Sequence, residues 1–296
     1  MILAAIDIGS NAARLLIVEV LATNKKGEAD FNKINLIRVP LRLGMDVFDT
    51  QTISAQKKEM TLKTLEAFKL LMDAYGVQHY LAAATSAMRD AKNGQEILLT
   101  VKKNIGLNIE IITGQQEAAL IYENHVAETM NQEGCFMYID VGGGSTEITL
   151  FSDGKLQAKE SFNIGTIRLL KKQIQLSNWD IVKDFIRTNT KHYKKVTAIG
   201  SGGNINKVFS MSKKKDGKPL PYELIKDYER ELGSLTQAER ITNYKLREDR
   251  ADVIVPALSI YANAMRWAGA TEIFVPKIGM ADGLIHHLYD SLVRGK

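Results

Sequence analysis

Two short stretches carry residues whose types and spacing could do chemistry. Ile2-Leu-Ala-Ala-Ile-Asp-Ile-Gly-Ser10 and Cys135-Phe-Met-Tyr-Ile-Asp-Val-Gly-Gly-Gly-Ser-Thr-Glu147 each read as an apolar strand ending in Asp-aliphatic-Gly. Each then turns on small residues and continues into a second alternating strand, and Asp7 recurs 133 residues later as Asp140. Glycine lets backbone amides approach a ligand closely, and successive N–H groups in a turn form an anion-binding concavity. Gly9, Ser10 and Asn11 on one side and Gly142, Gly143, Gly144 and Ser145 on the other therefore read as a duplicated phosphate grip. A third turn, Gly200 to Gly203, precedes a helix whose N-terminus favours anions, which adds Gly202 and Gly203. Asp7 and Asp140 close buried strands, where an acid needs a cation, and magnesium is the natural partner for oxygen ligands beside phosphate. Glu147 either joins that metal shell or is an exposed hairpin residue.

Two further residues have ordinary local explanations. Glu117 falls in the first turn of a helix opened by the capping box Thr113-x-x-Gln116, where an acid suits the helix dipole. Arg89, after Ala84-Thr-Ser-Ala-Met88, passes for a surface arginine.

Positioning these residues requires a sizeable scaffold. The chain has 296 residues, 45% hydrophobic, 25% charged and 7% aromatic, with no low-complexity tract, which implies a folded chain of two lobes. Residues 2 to 9, Ala13 to Val20 and a strand within Phe31 to Leu43 form a meander, with a hairpin-type turn at Thr23 to Asp30. Ser54 opens a long amphipathic helix that stops at Gly76. Alternation follows: a strand near Val77 to Ala84, a helix after Asn93, a strand at Asn108 to Ile112 and a helix from Gln115 to about Ala127. The second half repeats the theme, with strands Cys135 to Val141, Ile148 to Phe151, Leu156 to Phe162 and Val196 to Ile199. Helices fall at Gly165 to Gln173, Trp179 to Thr188 and twice in 221 to 242. Asp252 is a cap for a long apolar helix ending near Trp267. A last strand, Glu272 to Val275, leads into a final helix. The fold class is α/β, with lobes at 1–122 and 123–296, the last helix packing back on the first lobe, and a cleft between lobes for ligands.

Composition also excludes. The single Cys135 has no partner for an internal disulfide and reads as a buried small hydrophobe. A charge of +5 suits an anionic substrate without demanding a nucleic acid polymer, and Lys213-Lys-Lys-Asp-Gly-Lys218 reads as a solvated connector. No zinc-type Cys/His spacing occurs. No apolar run is long enough for a membrane, and the acid at position 7 disfavours a secretory signal, so the expected location is the cytoplasm.

Together these residues resemble the exopolyphosphatase and guanosine pentaphosphate phosphohydrolase (Ppx/GppA) family, within the actin, sugar kinase and chaperone ATPase superfamily. Its supports are Ala5-Ile-Asp-Ile-Gly-Ser-Asn11, Arg42-Leu-Gly44, Ala84-Thr-Ser-Ala-Met-Arg89, Ile112-Thr-Gly-Gln-Gln-Glu-Ala118, Ile139 to Glu147, Gly200-Ser-Gly-Gly203 and Arg250 to Pro256. The resemblance implies two actin-like, ribonuclease H-like lobes of the short form. It raises Glu117 to candidate catalytic carboxylate and Arg89 to a substrate-phosphate contact. It places Asp140, Glu147 and Asp7 around magnesium or another divalent cation. The implied activity is hydrolysis of the terminal phosphoanhydride of inorganic polyphosphate. Guanosine pentaphosphate 5′-phosphohydrolysis, with a link to the stringent response, and a non-catalytic alarmone or polyphosphate sensor are the alternatives. It also makes a homodimer plausible. The chain departs from the family at Gln116, usually an acid, at Asn204, commonly threonine, and at Met280-Ala-Asp-Gly283, commonly Leu-Arg-Glu-Gly.

Overall fold

The computed structural model describes residues 1–21, 29–122, 134–276 and 279–294. Most of the turn expected at Thr23 to Asp30, and the end of the helix expected to reach Ala127, lie outside the described residues.

The chain divides into two units, Met1–Asn124 with Met280–Lys296, and His125–Gly279. Unit 1 runs β1 (Ile2–Ile8), β2 (Ala13–Val20), β3 (Phe31–Val39), α1 (Leu43–Thr50), α2 (Ala55–Ala74), β4 (His79–Ala84), α3 (Ser86–Asp90), α4 (Gly94–Ile105), β5 (Glu110–Ile111) and α5 (Gly114–Tyr122). Its sheet order is β3-β2-β1-β4-β5. β1 pairs antiparallel with β2 and parallel with β4, as a hairpin followed by a helical crossover must. Residues of both parities on β1 and β2 are buried, among them Leu3, Ala5, Leu16 and Val18 on one face and Ile6, Ile8, Leu15 and Ile17 on the other. Burial on both faces explains why these strands read as unbroken apolar runs.

Ser54 caps α2 as expected, its side chain accepting from the Lys57 N–H. Two short helices were not expected. The third strand ends at Val39, and Leu43 already starts α1 behind Arg42, a non-glycine residue in the left-handed region at φ 52°. α3 lies directly after β4 and carries Arg89.

Unit 2 runs β6 (Cys135–Val141), β7 (Thr146–Ser152), β8 (Lys155–Phe162), α6 (Thr166–Leu170), α7 (Leu176–Thr190), β9 (Val196–Ser201), α8 (Gly203–Ser212), β10 (Leu220–Pro221), α9 (Tyr222–Ser234), α10 (Gln237–Tyr244), α11 (Glu248–Ala251), α12 (Ile254–Ala268) and β11 (Glu272–Phe274). Sheet order is β10-β11-β9-β6-β7-β8, with β6 antiparallel to β7 and parallel to β9. Its core joins Met137, Ile139 and Val141 of β6 to Leu258, Tyr261 and Met265 of α12 and Ile186 of α7.

Asp252 does not cap α12. An N-cap residue needs extended backbone. Asp252 is itself helical, at φ −83° and ψ −32°, because α11 has already started at Glu248. Its charge instead faces Arg240, whose guanidinium pKa is lowered by burial and raised in part by Asp252.

The last helix, α13 (Met280–Arg294), belongs to unit 1. Its Met280, Ala281, Leu284, Ile285 and Leu288 share a core with Leu3, Ala5, Leu16, Val18, Ala83 and Ile112. Ala281 is therefore a packed core residue, 4% exposed.

Candidate functional site

The duplication seen as two sequence stretches is a duplication of backbone geometry. In unit 1, Gly9 N–H donates to Ala12 O at 3.0 Å, closing the β1–β2 turn. In unit 2, Gly142 N–H donates to Ser145 O at 2.9 Å, closing the β6–β7 turn at the matching positions.

In unit 2 the next strand and helix continue the device. The Gly142 carbonyl accepts from Thr166 N–H at 3.0 Å, the Gly143 carbonyl from Ile167 N–H at 2.9 Å, and the Gly144 carbonyl from Arg168 Nε at 2.8 Å. Among the described residues no peptide is cis, and in a trans peptide the carbonyl and the following N–H point in opposite directions. With all three carbonyls turned toward α6, the N–H groups of Gly143, Gly144 and Ser145 face away from it as a row of donors. Gly165 permits this seat: a Cβ there would stand 2.4 Å from Gly143 O. Unit 1 has a similar seat, since Ser10 O accepts from Gly44 N–H at 2.9 Å and Asn11 O from Arg42 N–H at 3.0 Å. The strained Arg42 is held in turn by Lys57 Nζ on its carbonyl at 2.5 Å.

The acids occupy the next-to-last rows of the two β-hairpins, one pair short of the glycine turns. Asp7, buried, pairs with Arg14 Nη1 at 2.5 Å, so its cation is a protein side chain. In unit 2, Asp140 stands in register with Glu147, which places both carboxylates on one face. Glu147 is 2% exposed, which removes the exposed-hairpin reading, and its Oε1 accepts from Ser161 Oγ at 2.8 Å. Gly202 comes close to this pair: at φ 111°, a Cβ on it would lie 3.2 Å from Asp140 Oδ1. The Tyr261 hydroxyl donates to Ser201 O, and burial, followed by the charge of Asp140, pushes its phenol well above its ordinary value, so it remains a donor. Gly203 opens α8, and its carbonyl accepts from Arg250 Nη1 at 2.6 Å.

Two carboxylates on one face suit a hard divalent cation that takes its remaining oxygens from water and phosphate. Among the described residues no third His, Cys, Asp or Glu joins them in a cluster. These two carboxylates supply only part of the oxygen shell that a divalent cation would need, the rest falling to water and phosphate.

In unit 1 hydrogen bonds join the glycine turn to α3, and α3 to the segment just before the helix of Glu117. Ser10 Oγ and Ser86 Oγ, both buried, lie 2.8 Å apart and join the turn to α3. Arg89 on α3 is partly buried, and its Nη1 donates to Ile112 O at 3.0 Å, just before α5. The capping box forms as read: Thr113 N–H donates to Gln116 Oε1 at 2.7 Å and Gln116 N–H to Thr113 Oγ1 at 3.2 Å. Gln116 is spent on the cap, and Glu117, one residue on, turns inward to 8% exposure. An acid serving only the helix dipole would be solvated.

The sequence reading missed Arg14, Ser86, Ser161 and Arg168. Arg14 was within reach, since carrying the 133-residue offset from Asp140 to its hairpin partner Glu147 lands on it. Arg168 had no such signal.

The profile of the Ppx/GppA phosphatase family matches residues 20–292. The chain is 29% identical over 230 residues to the bifunctional 3-dehydroquinate synthase/phosphatase of Fusobacterium nucleatum, covering 71% of this chain and 34% of that protein. It is 32% identical over 176 residues to exopolyphosphatase 2 of Mycobacterium tuberculosis, covering 57% and 54%. The chain thus spans about a third and about half of these two relatives. The crystal structure of the Aquifex aeolicus member of the Ppx/GppA family aligns over 99% of both chains at 25% identity, with a TM-score of 0.76.

Proposed function

The chain belongs to the Ppx/GppA phosphatase family, and we propose that it hydrolyses the terminal phosphoanhydride of inorganic polyphosphate, releasing phosphate with the help of a divalent cation. Members of that family are phosphoanhydride hydrolases and generally use divalent cations. The choice of polyphosphate is supported by the relative named exopolyphosphatase.

The observation that carries the proposal is Glu117, a buried carboxylate in the first turn of α5, a helix whose start is fixed by the Thr113–Gln116 capping box and by the Arg89 bond to the Ile112 carbonyl. In the proposed mechanism Glu117 accepts a proton from the attacking water and orients it on the terminal phosphorus. The N–H groups of Gly143, Gly144 and Ser145, with the Gly9–Asn11 turn, hold phosphoryl oxygens. Arg89 adds positive charge beside the acid's helix. Within each unit these groups are held by hydrogen bonds before any reaction, and preorganised charge is where phosphoryl transfer gains most of its rate. Asp140 and Glu147 would hold a divalent cation, which when bound neutralises charge on the phosphoryl oxygens.

Glu117→Ala tests this. It is expected to lower phosphate release from long-chain polyphosphate by about a hundredfold or more while the far-ultraviolet circular dichroism is unchanged. Near-normal turnover in that variant removes Glu117 from the mechanism. Running guanosine pentaphosphate and ATP beside polyphosphate, with and without magnesium, assigns the substrate.

A further inference from the structure

We infer that Arg168 is a positioning residue that sets the unit 2 glycine turn in its anion-binding orientation, an inference that rests on the phosphate-binding reading of that turn.

Three consecutive glycines, Gly142 to Gly144, can populate more backbone conformations than any other tripeptide, and ordering them is costly. A flipped Gly144–Ser145 peptide would aim a carbonyl oxygen where the anion meets an N–H, replacing attraction by repulsion. Something must therefore fix each peptide plane. The first two are fixed by backbone donors: Thr166 N–H takes the Gly142 carbonyl and Ile167 N–H the Gly143 carbonyl, and Gly165 lets the two backbones approach. The Gly144 carbonyl is met by a side chain, Arg168 Nε, at 2.8 Å.

Arg168 suits this role because of where it sits. It is partly buried on α6, the helix that supplies the neighbouring donors, so its Nε reaches the turn from behind, on the side opposite the three outward N–H groups. Guanidinium is planar, always charged and a charge-assisted donor at neutral pH. A lysine could keep the charge but not this donor position. The corresponding carbonyl in unit 1, on Asn11, is held by the backbone N–H of Arg42, so the side-chain lock is peculiar to unit 2.

Losing a hydrogen bond to a charged donor here is expected to weaken anion binding about tenfold or more. The test is calorimetric binding of tripolyphosphate with magnesium, beside kcat and KM on polyphosphate, for wild type, Arg168→Met and Arg168→Lys. The inference expects Arg168→Met to raise Kd and KM about tenfold or more with its melting temperature close to wild type, Arg168→Lys to recover little, and Arg168→Gly to regain binding when guanidinium is added at tens of millimolar. A general packing role would not give that rescue. Unchanged Kd and KM in Arg168→Met, or full activity in Arg168→Lys, overturns it. If Arg168→Met does not fold, Arg168→Lys and the guanidinium rescue decide by the same criteria. Binding of tripolyphosphate without phosphate release by wild type would defeat the hydrolase reading alone, and the binding arm would still decide the role of Arg168.

Discussion

The two glycine turns share a hydrogen-bond pattern but not a charge. Across the next-to-last row of the unit 1 sheet stand Glu110, Ala83, Asp7, Arg14 and Arg38, in register on β5, β4, β1, β2 and β3. Across the same row of unit 2 stand Ser201, Asp140, Glu147 and Ser161 on β9, β6, β7 and β8. One duplicated frame thus carries an acid met by an internal arginine in its first copy and two acids side by side in its second. Like charges directly opposite on a sheet are destabilising, whereas opposite charges are stabilising. The first row meets its buried acid with Arg14 directly opposite and a second arginine, Arg38, beyond it. The second concentrates negative charge where a bound cation would offset it. A duplicated backbone can therefore be divided between tasks by changing one residue of a cross-strand pair, Arg14 against Glu147.

The most severe way to break this contrast is Glu147→Gln. Removing one acid of the pair is expected to cost about a hundredfold or more in turnover and to abolish magnesium binding measured by calorimetry with tripolyphosphate present. If the divalent dependence of phosphate release were unchanged, the second row would not be the cation site. A smaller effect is expected in the first row. Arg14→Met leaves the buried Asp7 without the guanidinium it now contacts. Breaking a fully buried pair costs about 3–5 kcal/mol, and because Arg14 is 31% exposed the expected loss in a urea titration is about 2 kcal/mol. Adding Asp7→Asn should restore most of it, and failure to do so would show that Arg14 stabilises by packing. The mildest change is Ser161→Ala, which removes the donor on Glu147 Oε1. Losing a hydrogen bond that orients a metal-binding carboxylate weakens metal affinity about tenfold, readable as a shift in the magnesium concentration for half-maximal activity at constant fold stability.

The central strands β1, β2, β6, β7 and β9 were legible because they are largely buried on both faces, so their sequences are mostly apolar. The glycine turns, the Ser54 cap and the Thr113–Gln116 capping box were legible because each is local, spanning four residues or fewer. What escaped depends on pairing between distant segments. The seats that turn the glycine carbonyls come from Arg42 and Gly44 in one unit and from Thr166 to Arg168 in the other, about two to three dozen residues beyond the turns they hold. Nothing in the composition of Gly165-Thr-Ile-Arg168 announces that role. The same limit applies to Glu117. Its neighbour Gln116 accounted for the cap, and only its burial separates the two side chains. Asp252 failed for the opposite reason. A good capping residue was present, but the helix preceding it had already set its backbone.

The connectivity of unit 1 has a consequence for how the molecule comes into being. Its leading strand, β1, is synthesised before the rest of the unit, yet Leu3 and Ala5 on that strand complete their packing against Leu284, Ile285 and Leu288 of α13. All of unit 2 is contiguous in sequence and synthesised in between. Domains fold as units while the chain is being made, so the later-made unit holds every segment it needs before the earlier one does. Until α13 arrives, one face of the first sheet is an apolar surface awaiting cover, and the unit made first is the one finished last.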